Sequence, residues 1–173
     1  TAASVFILTR LISLQDAYDS VDWPIIVLLG ALIPIGQAMT STGAAGIIAN
    51  SLIDIAGALP LWAIVAIVMA VSMWLSDLIH NTPTAVLMAP VGASIAETLE
   101  VSVDPFLMAV AVGSASAYLT PIGHQSNTLV MGPGGYRFGD YTRVGIGLEA
   151  IILLVGVPMV MLVWPPMKTA FGP

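Results

Sequence analysis

Thr120-Pro-Ile-Gly-His-Gln-Ser-Asn127 sits between two strongly apolar runs, yet it is crowded with helix breakers and small polar side chains. The polar character continues from Thr128 through Gly132-Pro-Gly-Gly135 to Tyr141. The apolar flanks, residues 109–119 and 129–131, are each too short to cross a bilayer, which takes about 20 residues. Together they read as one crossing interrupted along its length. Lipid cannot hydrate a broken backbone, so such a break must line a cavity or be buried in protein. Discontinuous membrane helices of this kind are how secondary transporters build ion and substrate sites.

The composition agrees with a membrane setting. Hydrophobic residues make up 58% of the chain and charged ones 8%, with a mean hydropathy of +0.99. A soluble domain carries about 25% charged residues. A formal net charge of −6 argues against nucleic acid as a partner. Cysteine is absent, which removes disulfide frameworks and thiolate metal sites. Most acids fall in two short polar joints, residues 15–22 and 97–104, and read as boundaries between spans. The chain starts at Thr1 inside an apolar run without a signal-peptide pattern, and is expected to be the carboxy-terminal part of a longer transporter.

Outward from the break, the hydropathy runs predict an all-α polytopic membrane protein. Residues 1–14 read as the end of a span and 23–39 as a full span, bent at Gly30, Pro34 and Gly36. Residues 44–58 read as an interfacial or packed helix carrying Asn50, Ser51 and Asp54. Residues 60–99 form two apolar arms around the polar tip His80-Asn-Thr-Pro-Thr84. Two spans with a tight loop fit this pattern, and so does a re-entrant hairpin. The tip favours the hairpin, because its only nearby charge is Asp77. Residues 104–133 make the broken helix and 145–164 the last span. Arg10, Arg137 and Arg143 fall at joints on one side, which the positive-inside rule makes cytoplasmic, with Lys168 outside.

Two constellations carry chemistry. At the hairpin tip, Asn81, Thr82 and Thr84 offer amide and hydroxyl oxygens, and the chain break frees backbone carbonyls, the ligands a hard cation such as sodium takes. A helix beginning at Thr84 would aim free N–H groups at an anion in the tip. The plain alternative is a turn with Thr as N-cap. In the break, Pro121 removes a donor, Gly123 permits unusual backbone angles, and Ser126, Asn127 and Thr128 supply oxygens and donors before a short helix over residues 128–131. Asp77, one turn before Asn81, is placed to orient the tip, ligate a cation or carry a coupling proton. The plain alternative, which weighs slightly more, is an acid hydrogen-bonded to backbone or lying near an aqueous vestibule. Glu149 reads as a boundary charge near Arg143. His80 and His124 with Asp77 invite a metal reading, but no His-x-x-x-His spacing and no hydrolase signature accompanies them.

These motifs resemble the divalent anion:sodium symporter family, within the ion transporter superfamily that includes arsenite exporters. The resemblance rests on Asp22-Trp23 opening a span that ends in Gly36-Gln-Ala-Met-Thr-Ser-Thr-Gly43, and on His80-Asn-Thr-Pro-Thr-Ala-Val-Leu-Met-Ala-Pro90 at the hairpin. It rests also on the run from Thr120-Pro121 to Gly132 and on Gly139-Asp140-Tyr141 before the last span. Residues 120–127 look like the bacterial permeases of this family that also carry TrkA-C-type domains. The resemblance implies an elevator-type transporter of two inverted repeats, a homodimer in a bacterial inner membrane, with this chain as the second repeat beside an amino-terminal one. By position it implies that Asn81, Thr82, Thr84, Asn127 and Thr128 contact a small divalent anion, a dicarboxylate or sulfate. It implies that Asn81, Thr120, Pro121, Gly123 and Asn127 hold sodium, largely through backbone carbonyls, with no other cofactor. His80 stands where the family has Ser, and Ser126 where many members have Pro; with Asp77 and His124 they are candidates for coupling or tuning. The expected function is sodium-coupled anion symport. Proton coupling or exchange is the near alternative, and an intramembrane metalloenzyme the distant one.

Overall fold

The computed structural model describes residues 13–19, 23–56 and 59–167, and every element among them is a helix. In chain order these are α1 (Leu14–Asp19), α2 (Trp23–Ser41), α3 (Ala44–Ala56), α4 (Leu61–Ile79), α5 (Asn81–Thr98), α6 (Asp104–Ser114), α7 (Gln125–Met131) and α8 (Phe138–Val163). The expected span end over residues 1–14 lies outside the described residues except for its last two positions, as do Arg10, Asp22 and Lys168. Among the described residues, two helices, α4 and α8, are long and apolar enough to cross a membrane.

Local chemistry sets where these helices start. Pro60, at φ −65° and ψ 152°, feeds α4 from an extended backbone. Asp104 and Pro105 open α6, with the Ser102 hydroxyl donating to the Asp104 carboxylate at 2.9 Å. Proline suits a first turn, where its missing N–H would be unpaired anyway. The last helix begins at Phe138, ahead of the apolar run at 145–164, because the Asp140 carboxylate accepts the Arg137 N–H at 2.7 Å and caps the helix early.

The two hairpin arms form the centre. α4 packs against α5, α6 and α8, while α5 packs against α6, α3 and α2. Val65, Val68, Met69 and Met73 from α4 meet Val91 and Ile95 from α5 and Phe106, Ala109 and Val110 from α6 in one buried core. Close approach of α4 and α6 depends on Gly113: a Cβ there would lie 2.5 Å from the Met69 carbonyl oxygen and 2.8 Å from Ser72 Cβ. Small residues let backbones meet in this way when water gives little drive to association. α8 engages by one stripe only, and its Val144, Ile146, Leu154 and Leu162 side chains are exposed.

That contact yields a paired prediction. Gly113→Ala is expected to lower the thermal unfolding temperature in detergent, since overpacking costs about 1–3 kcal/mol. Gly147→Ala, whose Cβ meets nothing within 4 Å, is expected to leave it unchanged or raise it by the ~0.5–1 kcal/mol helix preference for alanine.

Candidate functional site

The hairpin turns on a single residue. α4 ends at Ile79, α5 starts at Asn81, and His80 between them is exposed with φ 84° and ψ 157°. A side chain in that region is strained by about 1–3 kcal/mol, so the surrounding contacts must hold it there. The start of α5 corrects the expected one at Thr84. Pro83 is accommodated in the first turn, and Thr84 N–H bonds the His80 carbonyl at 3.3 Å. Thr84 is fully buried and its hydroxyl donates to the same carbonyl at 2.8 Å. That proton is committed to the helix start. Thr82 is half-buried in the same turn.

The break itself runs from α6 to α7, residues 115–124, and other parts of the chain supply its hydrogen bonds. From α4, Asp77 Oδ1 accepts the N–H groups of Leu119 at 2.9 Å and Thr120 at 3.3 Å. The Thr120 hydroxyl donates to the Asp77 carbonyl at 2.8 Å while accepting the Gly123 N–H at 3.0 Å. Gly123 is pressed against Asp77, where a Cβ would come within 3.1 Å of Oδ1. Asp77 is 2% exposed, and its Oδ2 is buried without a hydrogen bond among the described residues. The functional and structural readings of this acid therefore meet in one side chain.

Both asparagines use their amide nitrogens in the same way. Asn127 Nδ2 donates to the Ala117 and Thr120 carbonyls at 3.2 and 3.3 Å. For Asn81 the hydrogen-bond network assigns the amide. Ser76 has one proton, which goes to the Ser114 carbonyl at 2.6 Å, so Asn81 must present its nitrogen to Ser76 Oγ. In that orientation Nδ2 lies 2.8 Å from Ser76 Oγ, 3.0 Å from the Ser114 carbonyl and 3.1 Å from that of Gly123. The hairpin tip is thus tied to both ends of the break. With each nitrogen committed to carbonyls, each Asn is left its Oδ1 as the atom to offer a ligand, and hard cations take oxygen ligands.

Of the residues nominated from sequence, Asp77, Asn81, Thr120, Gly123 and Asn127 join one hydrogen-bonded cluster. Pro121 is buried at its edge, its carbonyl accepting the exposed Thr128 hydroxyl at 2.7 Å. α7 starts at Gln125, ahead of the expected Thr128, because His124 caps it: Nδ1 accepts the Ser126 N–H at 3.2 Å. Ser126 itself is exposed. Among the described residues, no group of three or more His, Cys, Asp or Glu is placed to hold a metal ion.

Sequence reading missed the part played by α8. The Tyr141 hydroxyl donates to the Asn127 carbonyl at 2.8 Å, and that of Thr142 to the Leu119 carbonyl at 3.0 Å. Gly145 lies so close to Tyr118 that a Cβ would overlap its carbonyl. Glu149 accepts the Tyr118 N–H at 3.3 Å, which corrects its reading as a boundary charge. The signal was present in the spacing: Tyr141, Gly145 and Glu149 recur every four residues and share a helix face.

Comparison with known proteins adds a second, independent line. A family model described as citrate transporter (CitMHS) matches residues 1–172. The chain is 36% identical over 156 residues to YfbS, an uncharacterized transporter of Escherichia coli K12, covering 90% of this chain and 26% of that protein. It is 28% identical over 159 residues to the sodium-dependent dicarboxylate transporter SdcS of Staphylococcus saprophyticus, covering 91% and 30%. It is 24% identical over 159 residues to sodium/sulfate cotransporter 2 of Chlamydomonas reinhardtii, covering 88% and 17%. The chain spans between about a sixth and a third of the length of these curated relatives.

The Asp77 contacts predict opposite outcomes for two substitutions. Asp77→Asn keeps an oxygen acceptor for Leu119 and Thr120 and is expected to give folded, monodisperse protein. Asp77→Leu strands both N–H groups at about 1–3 kcal/mol each, and is expected to show as a large fall in thermal stability by fluorescence-detected size exclusion.

Proposed function

The chain belongs to this citrate transporter family, whose relatives include sodium/sulfate and dicarboxylate cotransporters, and we propose that it forms one repeat of a sodium-coupled importer of a small divalent anion. The single observation that carries the site assignment is the pairing of two asparagine amides with the carbonyls of one chain break. It supports a cation held beside Asn81 and Asn127 Oδ1, with the Thr120, Pro121 and Gly123 carbonyls close at hand. A bound cation next to the open backbone N–H groups of Asn81 and Thr82 makes a favourable setting for an anion, a dicarboxylate or sulfate. Thr82 supplies the hydroxyl for the anion at the tip, while Thr84 and Thr128, whose protons go to the His80 and Pro121 carbonyls, act by fixing the tip and the break.

In this reading the residue 60–99 hairpin enters the membrane and returns. The broken helix faces it, and an amino-terminal repeat of inverted topology supplies the other half of the site. The rigid tie between tip and break supports an elevator-type movement, because both would travel as one body. A homodimer in a bacterial inner membrane completes the proposal. The relatives named for sodium coupling support the choice of ion.

The test is radiolabelled uptake by the complete transporter, in sodium and in choline buffer, with succinate and sulfate as competitors. Uptake is expected to need sodium, and to fall more than about tenfold in Asn81→Ala and Asn127→Ala, each of which strips an amide that pairs with several buried groups. Uptake indifferent to both substitutions overturns the site. Sodium-independent uptake that Asp77→Asn abolishes would move the chain to the proton-coupled or exchanging members, a reading favoured by the buried Asp77 carboxyl facing that of Glu149.

A further inference from the structure

From one face the last helix makes three contacts with the break and one with the first turn of α7, and none of these four goes through the hairpin. Tyr141 reaches the Asn127 carbonyl, Thr142 the Leu119 carbonyl, Gly145 abuts the Tyr118 carbonyl, and Glu149 takes the Tyr118 N–H. Asp77, approaching from α4, takes the next two N–H groups, those of Leu119 and Thr120. Three consecutive amides are therefore gripped by two carboxyl side chains on different helices. A carboxylate bonded to successive N–H groups fixes the peptide planes, and so fixes the directions of the carbonyls between them. Those carbonyls are the ones of Ala117, Tyr118 and Leu119, and that of Ala117 accepts the Asn127 amide at 3.2 Å, so the grip on the Tyr118 N–H orients the group that holds Asn127 beside the proposed ion site.

Tyr141 acts at the other end of the same unit. Asn127 lies in the first turn of α7, a helix with so few residues that its own hydrogen bonds hold it weakly. The Tyr141 hydroxyl ties that turn to the long α8, and its ring is steadied by an edge-on contact with Tyr136 at 6.1 Å between centroids. Neither Tyr141 nor Glu149 carries an atom that the site needs as a ligand. Their effect passes through Asn127 and Tyr118.

We infer that Tyr141 and Glu149 are positioning residues for the ion site, setting the affinity for the coupling ion through the placement of Asn127 and of the residue 118–120 backbone. The inference rests on the proposed site at Asn81 and Asn127 and extends it to α8.

The experiment is uptake by the complete transporter in proteoliposomes, with sodium varied at saturating anion and anion varied at saturating sodium. Tyr141→Phe removes one oxygen and keeps the ring. It is expected to raise the half-saturating sodium concentration about fivefold, the worth of one hydrogen bond, while the maximal rate and the half-saturating anion change by less than about twofold. Glu149→Leu is expected to raise it at least as much. Glu149→Gln, which still offers an oxygen to the Tyr118 N–H, is expected to restore wild-type sodium dependence. A merely structural role would lower the maximal rate and the amount of folded protein in both leucine and glutamine variants without moving the sodium dependence. Unchanged sodium dependence in Tyr141→Phe and Glu149→Leu, alongside a sodium-dependent wild type that Asn127→Ala inactivates, overturns this inference alone. A wild type indifferent to sodium overturns the site reading and this inference with it.

Discussion

The structure depends on one constraint: a chain that leaves the helical path among apolar segments must still pair its N–H and C=O groups. Between Ser114 and Gln125 the backbone is irregular, and its partners arrive as side chains from every neighbouring element. Asp77 and Glu149 take N–H groups, while Asn81, Asn127, Thr128 and Thr142 donate to carbonyls. Charged residues are only 8% of this chain, and Asp77, Glu149 and two of its three asparagines converge on this stretch. Their position explains why so apolar a sequence keeps them at all, since each one left unpaired would cost about 1–3 kcal/mol.

The same constraint explains the shape of the hairpin. α4 and α5 are joined at His80 alone, in a conformation that favours glycine. The strain is held because Ser76 and Asn81, on either side of the turn, share contacts with the Ser114 carbonyl. Tip and break therefore stabilise one another. Neither would keep its geometry if the other were removed. The Gly113 contact with Met69 brings α6 close enough to α4 for this to happen.

Much of the fold was readable from hydropathy, because long apolar runs have only helices available to them in lipid. The break was readable for the same reason, as Pro121 and Gly123 mark it directly. What could not be read was the origin of the partners. Asp77 was suspected through its rarity among apolar neighbours, but its double grip on Leu119 and Thr120 spans more than forty positions in sequence, and no local pattern encodes it. Helix starts were misplaced where capping was unusual: His124 as an imidazole cap, His80 at a positive φ, and Asp140 reaching back to Arg137. The nearness of Glu149 to Arg143 suggests a boundary charge, whereas its spacing from Gly145 and Tyr141 is what places it against Tyr118.

Nearly every contact with the break addresses its main chain, and this has a consequence for what the segment encodes. Carbonyls and amides are the same in every residue but proline, so side chains at positions such as Ile122, exposed to the surroundings, are free to vary without disturbing the grip. Removing or adding a single residue is different. It would shift each carbonyl by one peptide unit against donors anchored on three other helices, and the pairings would be lost together. Residues 115–124 thus behave as a gauge block whose information lies in its length.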